Sequence, residues 1–196
     1  MDPKESAGRA AAARVEPGMT LGLGTGSTVR WLIEELATRH SQGLSFHVVP
    51  TSRQTADLAA EHNIPITDIN EIEKLPLTID GADEIDPSGH LIKGGGGALL
   101  REKIVAAASD YLLIIADEKK LVPALGQFPL PIEVIPFGNR QVQDQLLWSG
   151  LFAQVTLRQA GERPFITDQG HYILDCKLQW PLSNPYQLES QLRSIT

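Results

Sequence analysis

Thr78-Ile-Asp-Gly-Ala-Asp-Glu-Ile-Asp-Pro-Ser-Gly-His-Leu-Ile-Lys-Gly-Gly-Gly-Gly-Ala-Leu-Leu-Arg-Glu-Lys103 is the stretch around which the chain is organised. A short apolar run ends at Asp80, and Asp83 follows three residues later. A second apolar run ends at Lys93, four glycines (Gly94 to Gly97) come next, and a helical pattern carrying Glu102 closes the segment. Consecutive glycines cost backbone entropy on folding, and packing alone does not call for four of them. The run makes sense where backbone must lie very close to something. We read that something as a small anionic ligand, with the two aspartates and the lysine acting on it.

Outward from this stretch, apolar runs and helical spacings alternate. The pattern predicts a helix from Lys4 to Val15, closed by Pro17-Gly18, and a strand from Met19 to Gly22. A helix follows over Val29 to His40, with apolar residues at Val29, Leu32, Ile33 and Leu36. Further strands are expected at Phe46–Val49, Ile64–Ile66, Leu75–Ile79 and His90–Ile92. A helix capped by Ser52 is expected to run to about His62, and another spans Ala98 to Ala108. Tyr111–Ala116 is a continuous apolar run, expected as a strand buried on both faces. This alternation predicts a Rossmann-like α/β fold, a parallel sheet with helices on both faces. After about Gly126 the chain becomes proline-punctuated and then alternates more tightly. We expect a helix at Asn139–Trp148 and strands at Leu151–Leu157, Pro164–Thr167 and Tyr172–Cys176. Thr167 to Gly170 would be the hairpin turn between the last two strands, and Pro185–Leu192 a last helix. The expected organisation is a catalytic α/β domain over residues 1–127 and a smaller α+β, ferredoxin-like domain over 128–196.

Composition narrows the function. The chain has 196 residues, 42% of them apolar, and no apolar run approaches a membrane span. The first fourteen residues lack an apolar signal core. A single cysteine, Cys176, excludes an internal disulfide and fits a reducing cytoplasm. The net charge of −7 without a Lys/Arg cluster disfavours nucleic acid. It leaves a small phosphate ligand open, because a local nest of N–H groups outweighs a global charge.

The turn Gly22-Leu-Gly-Thr-Gly-Ser-Thr28 lies between a predicted strand and a predicted helix. Bare glycine amides, the hydroxyls of Ser27 and Thr28 and a helix N-terminus suit phosphate. The bland alternative is a tight turn with a serine cap. A Walker loop needs a lysine here, and a dinucleotide fingerprint needs a later third glycine and an acid on the next strand; neither is present. Thr51 and Ser52 would add hydroxyls, although Ser52 serves equally well as a plain cap. Asp80 and Asp83 flank Gly81 and Ala82. Most such pairs are solvated loops, but these stand at the end of a predicted parallel strand, where ligands bind. A calcium loop is excluded by Ala82 and Ile85. Lys93, beside the amides of Gly94, Gly95 and Gly96, would neutralise an alkoxide or enediolate; otherwise it is a surface lysine. On its helix Glu102 shares a face with Ala98, Leu99, Val105 and Ala106. Burial there would bring a carboxyl towards the range useful for a general base, while the bland alternative is a surface glutamate. The five histidines lack ligand spacing, so no metal is expected. Trp31, Trp148 and Trp180 read as core or interface residues. Taken together, the set suits proton transfer beside a carbonyl of a phosphorylated sugar, with no cofactor.

Gly24-Thr-Gly-Ser-Thr28, Asp80-Gly-Ala-Asp-Glu84, Lys93-Gly-Gly-Gly96, Arg101-Glu-Lys103, Ala116-Asp117 with Lys120, and Pro129-Leu-Pro-Ile-Glu-Val-Ile-Pro136 together resemble the type A ribose-5-phosphate isomerase family. The resemblance runs from the first helix to about Cys176. It implies interconversion of D-ribose 5-phosphate and D-ribulose 5-phosphate in the non-oxidative pentose phosphate pathway, without a cofactor, in a cytoplasmic dimer or tetramer. By the same resemblance, Thr25, Gly26, Ser27 and Thr28 bind phosphate. Asp80, Gly81, Ala82 and Asp83, with Lys93, Gly94, Gly95 and Gly96, bind the sugar. Glu102 moves the proton, Asp83 helps open the ring, Lys93 steadies the enediolate, and Lys120 reaches the substrate from the far side. Against the family pattern the C-terminus is expected to be shortened, lacking a strand that pairs in the small unit and one that returns to the large sheet. Two other readings stand beside this one. A sugar-phosphate sensor needs the phosphate turn but not Asp83, Lys93 and Glu102 together. The other is a neighbouring enzyme, an amino-sugar-phosphate deaminase or a CoA transferase; the latter would place a nucleophilic glutamate elsewhere, and the Lys-Gly-Gly-Gly run argues against it.

Overall fold

The structure, a computed structural model, describes residues 2–179 and 181–195. Its contacts divide the chain into two compact units that are discontinuous in sequence. The first comprises residues 1–82 and 98–119, the second residues 83–97 and 120–196. The change in sequence character puts the boundary at 127/128, whereas the contacts group the Asp83 to Gly97 segment with the C-terminal part.

The first unit is built on four parallel strands, β1 (Thr20–Leu23), β2 (His47–Pro50), β3 (Leu75–Asp80) and, later in the chain, Ser109–Ile114. Its helices are α1 (Pro3–Ala12), α2 (Ser27–Ser41), α3 (Arg53–Glu61) and α4 (Leu99–Ala107). The second unit supplies β4 (Glu84–Ile85) and β5 (Leu91–Ile92), a two-stranded antiparallel pair. Taken in chain order, Ser109–Ile114 is therefore β6, and the sheet of the first unit runs β2-β1-β3-β6. One face is filled from α1, α2 and α3 by Ala12, Leu32, Leu36 and Ala59, packed with Leu21, Leu23, Val48 and Ile79. The other carries Val105 of α4 with Val49 and Leu75. Helices thus lie on both faces, as the alternating pattern predicts.

Two expectations for this unit are corrected. Ile64–Ile66 forms an isolated bridge between Ile66 and Val48 rather than a strand. Pro65 offers only its carbonyl, to Val48 N at 2.9 Å, and a proline cannot continue a ladder. The run Tyr111–Ala116 is not buried on both faces. The strand is the sheet's edge, and Tyr111 and Leu112 are 74% and 41% exposed. An unbroken apolar run does not distinguish a central strand from an edge strand.

In the second unit, β7 (Leu130–Val134), β8 (Phe152–Leu157) and β11 (Tyr172–Leu178) form an antiparallel sheet of order β7-β11-β8. The short strands β9 (Gln159–Ala160) and β10 (Arg163–Pro164) form a hairpin between them. Helices α5 (Asn139–Trp148) and α6 (Pro185–Leu192) complete the unit and match their predicted bounds. The core joins Leu146, Phe152, Val155, Leu174, Cys176 and Leu188 with Ile92 and Leu125. The turn at Thr167–Gly170 forms, with Gly170 N donating to the Thr167 carbonyl at 2.9 Å. The strands it is expected to join do not pair, because β11 already has β7 and β8 on its two edges. Trp148 is 81% exposed at the end of α5 and is no core residue. Trp31 is half-buried, and Trp180 lies outside the described residues. Among the described residues no helix is long and apolar enough to cross a membrane.

Candidate active site

In the first unit the turn after β1 meets the end of β3. Asp80 is buried, and its Oδ1 accepts from Thr25 N at 3.2 Å and Gly81 N at 2.7 Å. Gly24 makes this possible, since a Cβ there would lie 2.1 Å from Asp80 Oδ1. The carboxylate occupies the space that a side chain in the turn would need. Gly26, at φ 128°, turns the chain into α2, leaving Gly26 and Ser27 exposed and Thr28 buried at the helix start. Helix N-termini present amides and partial positive charge to an anion. The helical spacing of apolar residues begins at Val29; the helix itself begins at Ser27, inside the turn.

A cluster of hydroxyls holds this turn from behind. Thr25 Oγ1 lies 2.9 Å from Thr51 Oγ1, 2.8 Å from Ser52 Oγ and 3.2 Å from Thr55 Oγ1. Thr55 Oγ1 in turn donates to the Gly24 carbonyl at 2.8 Å. Of the two readings of Ser52, the structure shows the cap: it caps α3 by accepting from Thr55 N at 3.0 Å. Thr51, Ser52 and Thr55 are all buried, so they brace the turn rather than face solvent. Nothing in the sequence pattern singles out Thr55. Lys4 escapes it too: its Nζ donates to Ser27 Oγ at 2.9 Å, bringing to the turn a cation that the turn's own sequence lacks. The two residues lie 23 positions apart, beyond any local pattern.

Glu102 belongs to the same unit. It lies on α4 at 5% exposure, with Oε2 shut off from solvent. Val105 on its face is buried while Ile104 is 49% exposed, the orientation that the helical spacing predicts.

In the second unit Asp83 is half-buried, and its Oδ2 accepts from Gly95 N at 2.7 Å. A Cβ at Gly95 would stand 2.4 Å from Asp83 Oδ1. Both aspartates are therefore seated against a glycine that makes room for them. Lys93 follows β5 and is half-buried, Gly96 is exposed, and Lys120 closes a short 3-10 turn over Glu118–Lys120. The sequence expects Asp80 and Asp83 to point at one spot. Asp80 is hydrogen-bonded to the turn after β1, and Asp83 to the glycine run. Among the described residues no group of three or more His, Cys, Asp and Glu side chains is placed to hold a metal ion.

The fold and this geometry define a mixed α/β protein with a glycine-containing turn, leading into a helix, at the carboxyl end of a parallel sheet. The family model described as ribose 5-phosphate isomerase A (phosphoriboisomerase A) matches residues 47–196. The ribose-5-phosphate isomerase A of Bacillus cereus is 55% identical over 196 residues, covering 100% of this chain and 88% of that relative. That of Cereibacter sphaeroides is 49% identical, over 98% of this chain and 79% of the relative. A D-ribose-5-phosphate isomerase solved in complex with phospho-erythronic acid superposes with a TM-score of 0.94 at 38% identity, covering 99% of this chain and 86% of that one. The ribose 5-phosphate isomerase A of Methanocaldococcus jannaschii gives 0.92 at 35% identity, over 99% of this chain and 86% of that one. The chain belongs to the ribose 5-phosphate isomerase A family and is an aldose–ketose isomerase.

Proposed function

We propose that this isomerase interconverts D-ribose 5-phosphate and D-ribulose 5-phosphate through an enediolate, with Glu102 as its acid/base, in the pentose phosphate pathway. The observation that carries the reading is the seating of Glu102. A carboxylate buried in the first turn of α4, on the helix that the glycine run leads into, is costly to hold without a task. Phosphate binds at Thr25 to Thr28, with Lys4 adding charge. Asp80 to Asp83 and Lys93 to Gly96 bind the sugar, and Lys120 contributes a further contact. Asp83 assists ring opening, passing the O1 proton towards the ring oxygen. Glu102 then removes the proton from C2 of the open aldehyde and returns it at C1. The hydroxyl proton of O2 passes to O1, so atoms and charge balance. Lys93 and the glycine amides stabilise the negative oxygen in between, in the manner of an oxyanion site. The protein works as a homo-oligomer, a dimer or tetramer, in the cytoplasm.

Incubation with ribose 5-phosphate in D₂O tests the proton transfer. Deuterium should enter beside the carbonyl, and Glu102→Gln should bind substrate while losing turnover by about 10²-fold or more, the scale of general acid–base catalysis. A folded sample that exchanges no proton would falsify the isomerisation scheme and favour a sensor. Near-normal turnover in Glu102→Gln would move the base to another residue.

A further inference from the structure

We infer that Arg158 is the positioning residue of the glycine run, fixing which way its peptide planes face. This inference rests on the reading that Gly94 to Gly96 meet the sugar, and it concerns a residue outside that segment. Arg158 follows β8 and carries its guanidinium to two successive carbonyls, Gly94 O at 3.0 Å and Gly95 O at 3.1 Å, both from one nitrogen, Nη1. A trans peptide is planar, with its C=O and N–H pointing in opposite directions. Pinning those two carbonyls therefore turns the N–H groups of Gly95 and Gly96 to the other side. The first of these amides shows the consequence, since Gly95 N donates to Asp83 Oδ2 at 2.7 Å. The second belongs to Gly96, which is exposed.

The clamp is itself held firmly. Asp175 takes the other side of the guanidinium, Nε to Oδ2 at 2.9 Å and Nη2 to Oδ1 at 2.5 Å. This is the paired geometry that arginine, and not lysine, provides. Asp175 sits on β11, the middle strand of its sheet, opposite Thr156 and Pro131. The Arg158 backbone donates to Ile173 O at 2.8 Å and accepts from Phe165 N at 2.9 Å. The Phe165 ring lies 5.8 Å from the guanidinium carbon and fills the space that a side chain at Gly97 would need. A glycine run has no side chains to hold its planes, and glycine reaches backbone conformations closed to other residues. A flipped plane would present a carbonyl to developing negative charge and would leave Asp83 without its amide. Arg158 thus acts on the reaction through Gly95, Asp83 and Gly96, without touching the substrate.

Steady-state kinetics with ribose 5-phosphate on the full chain test this. Arg158→Ala and Arg158→Lys should each lower kcat by about 10²-fold, the effect of losing one preorganised oxyanion donor, with KM changed much less. Methylguanidinium at non-denaturing concentration should restore part of the kcat of Arg158→Ala. Wild-type kcat in a folded Arg158→Ala overturns the inference. So does full recovery of both kcat and thermal midpoint by Arg158→Lys, the pattern of a merely structural cation. Should the variants fail to fold, hydrogen exchange on the wild type decides. The Gly95 amide should be protected in the free protein, and the Gly96 amide should gain protection when phospho-erythronic acid is added. A Gly95 amide that exchanges freely, or a Gly96 amide indifferent to the ligand, overturns the inference. A wild type that does not isomerise ribose 5-phosphate sinks the proposed reaction, while these exchange rates still judge the clamp separately.

Discussion

Glu84 completes the motif Asp80-Gly-Ala-Asp-Glu84, yet it works differently from the two aspartates. It is 3% exposed, and its two oxygens accept from the backbone N–H groups of Gly126 at 2.7 Å and Phe128 at 2.5 Å. A charged acceptor on two amides is a strong arrangement. In Glu84→Gln one of those amides would meet an NH₂ donor instead of an oxygen. An unsatisfied buried donor costs about 1–3 kcal/mol, so urea unfolding should register a loss of that size while kcat of the folded fraction stays close to wild type. An unchanged urea midpoint would mean the loop at Gly126–Phe128 finds other acceptors. Cys176 makes a second prediction at this scale. Burial, with a smaller contribution from the Asp175 charge, pushes its thiol from 9.0 up to about 12. Between those values the unfolded chain binds fewer protons than the folded one, so this thiol makes stability fall as pH rises through that window. Cys176→Ala should flatten the fall above pH 9.0, measured as thermal midpoint against pH. An unaltered slope in the variant would assign the alkaline loss to other groups.

At the scale of elements, the contact between α1 and α2 explains how Lys4 reaches the turn after β1. A Cβ at Gly8 would stand 2.7 Å from Leu32 N and from Trp31 Cβ, and 2.9 Å from the Thr28 carbonyl. Gly8 therefore lets the two helices touch, and Lys4, one turn earlier on the same face of α1, is carried to Ser27. Gly8→Ala should push α1 outward and withdraw Lys4. We expect it to raise KM for ribose 5-phosphate by about 10-fold, the effect of losing one interaction of roughly 1.4 kcal/mol, and to lower stability as overpacking does. Lys4→Met should raise KM alike while leaving the thermal midpoint nearly unchanged. A normal KM in Lys4→Met would remove Lys4 from the site. Gly8 shows why such features escape sequence reading. An alanine-rich helix with one glycine looks merely weakened, and only the helix across from it gives that glycine a reason. Asp80, Asp83 and Lys93 were legible because they stand beside local punctuation, the ends of apolar runs and a glycine run. Thr55, Lys4 and Arg158 act across 31, 23 and 64 positions, and no local period encodes such distances.

For the whole molecule, the alternation of strand and helix was enough to set the fold class, but not which strands lie at an edge. The same uncertainty bears on assembly, because edges and exposed apolar side chains are where subunits meet. In the first unit β6 leaves Tyr111 74% exposed. In the second, Phe137 just before α5 and Trp148 at its end are 91% and 81% exposed. Large apolar side chains held in water mark association surfaces when they are contiguous, and occur singly without consequence. A net charge of −7 opposes self-association at long range, so an oligomer must draw its stability from short-range apolar contact and should be tightened by added salt. We therefore predict a molar mass by light scattering at least twice the 21.4 kDa of one chain, falling on dilution. Tyr111→Lys, Phe137→Glu and Trp148→Glu, made singly, separate the candidates: the substitution that shifts the mass towards one chain identifies the contact surface. A mass of 21.4 kDa in the wild type at every concentration and salt would show that the enzyme works as a monomer. An oligomer indifferent to all three substitutions would place its interface on other surfaces.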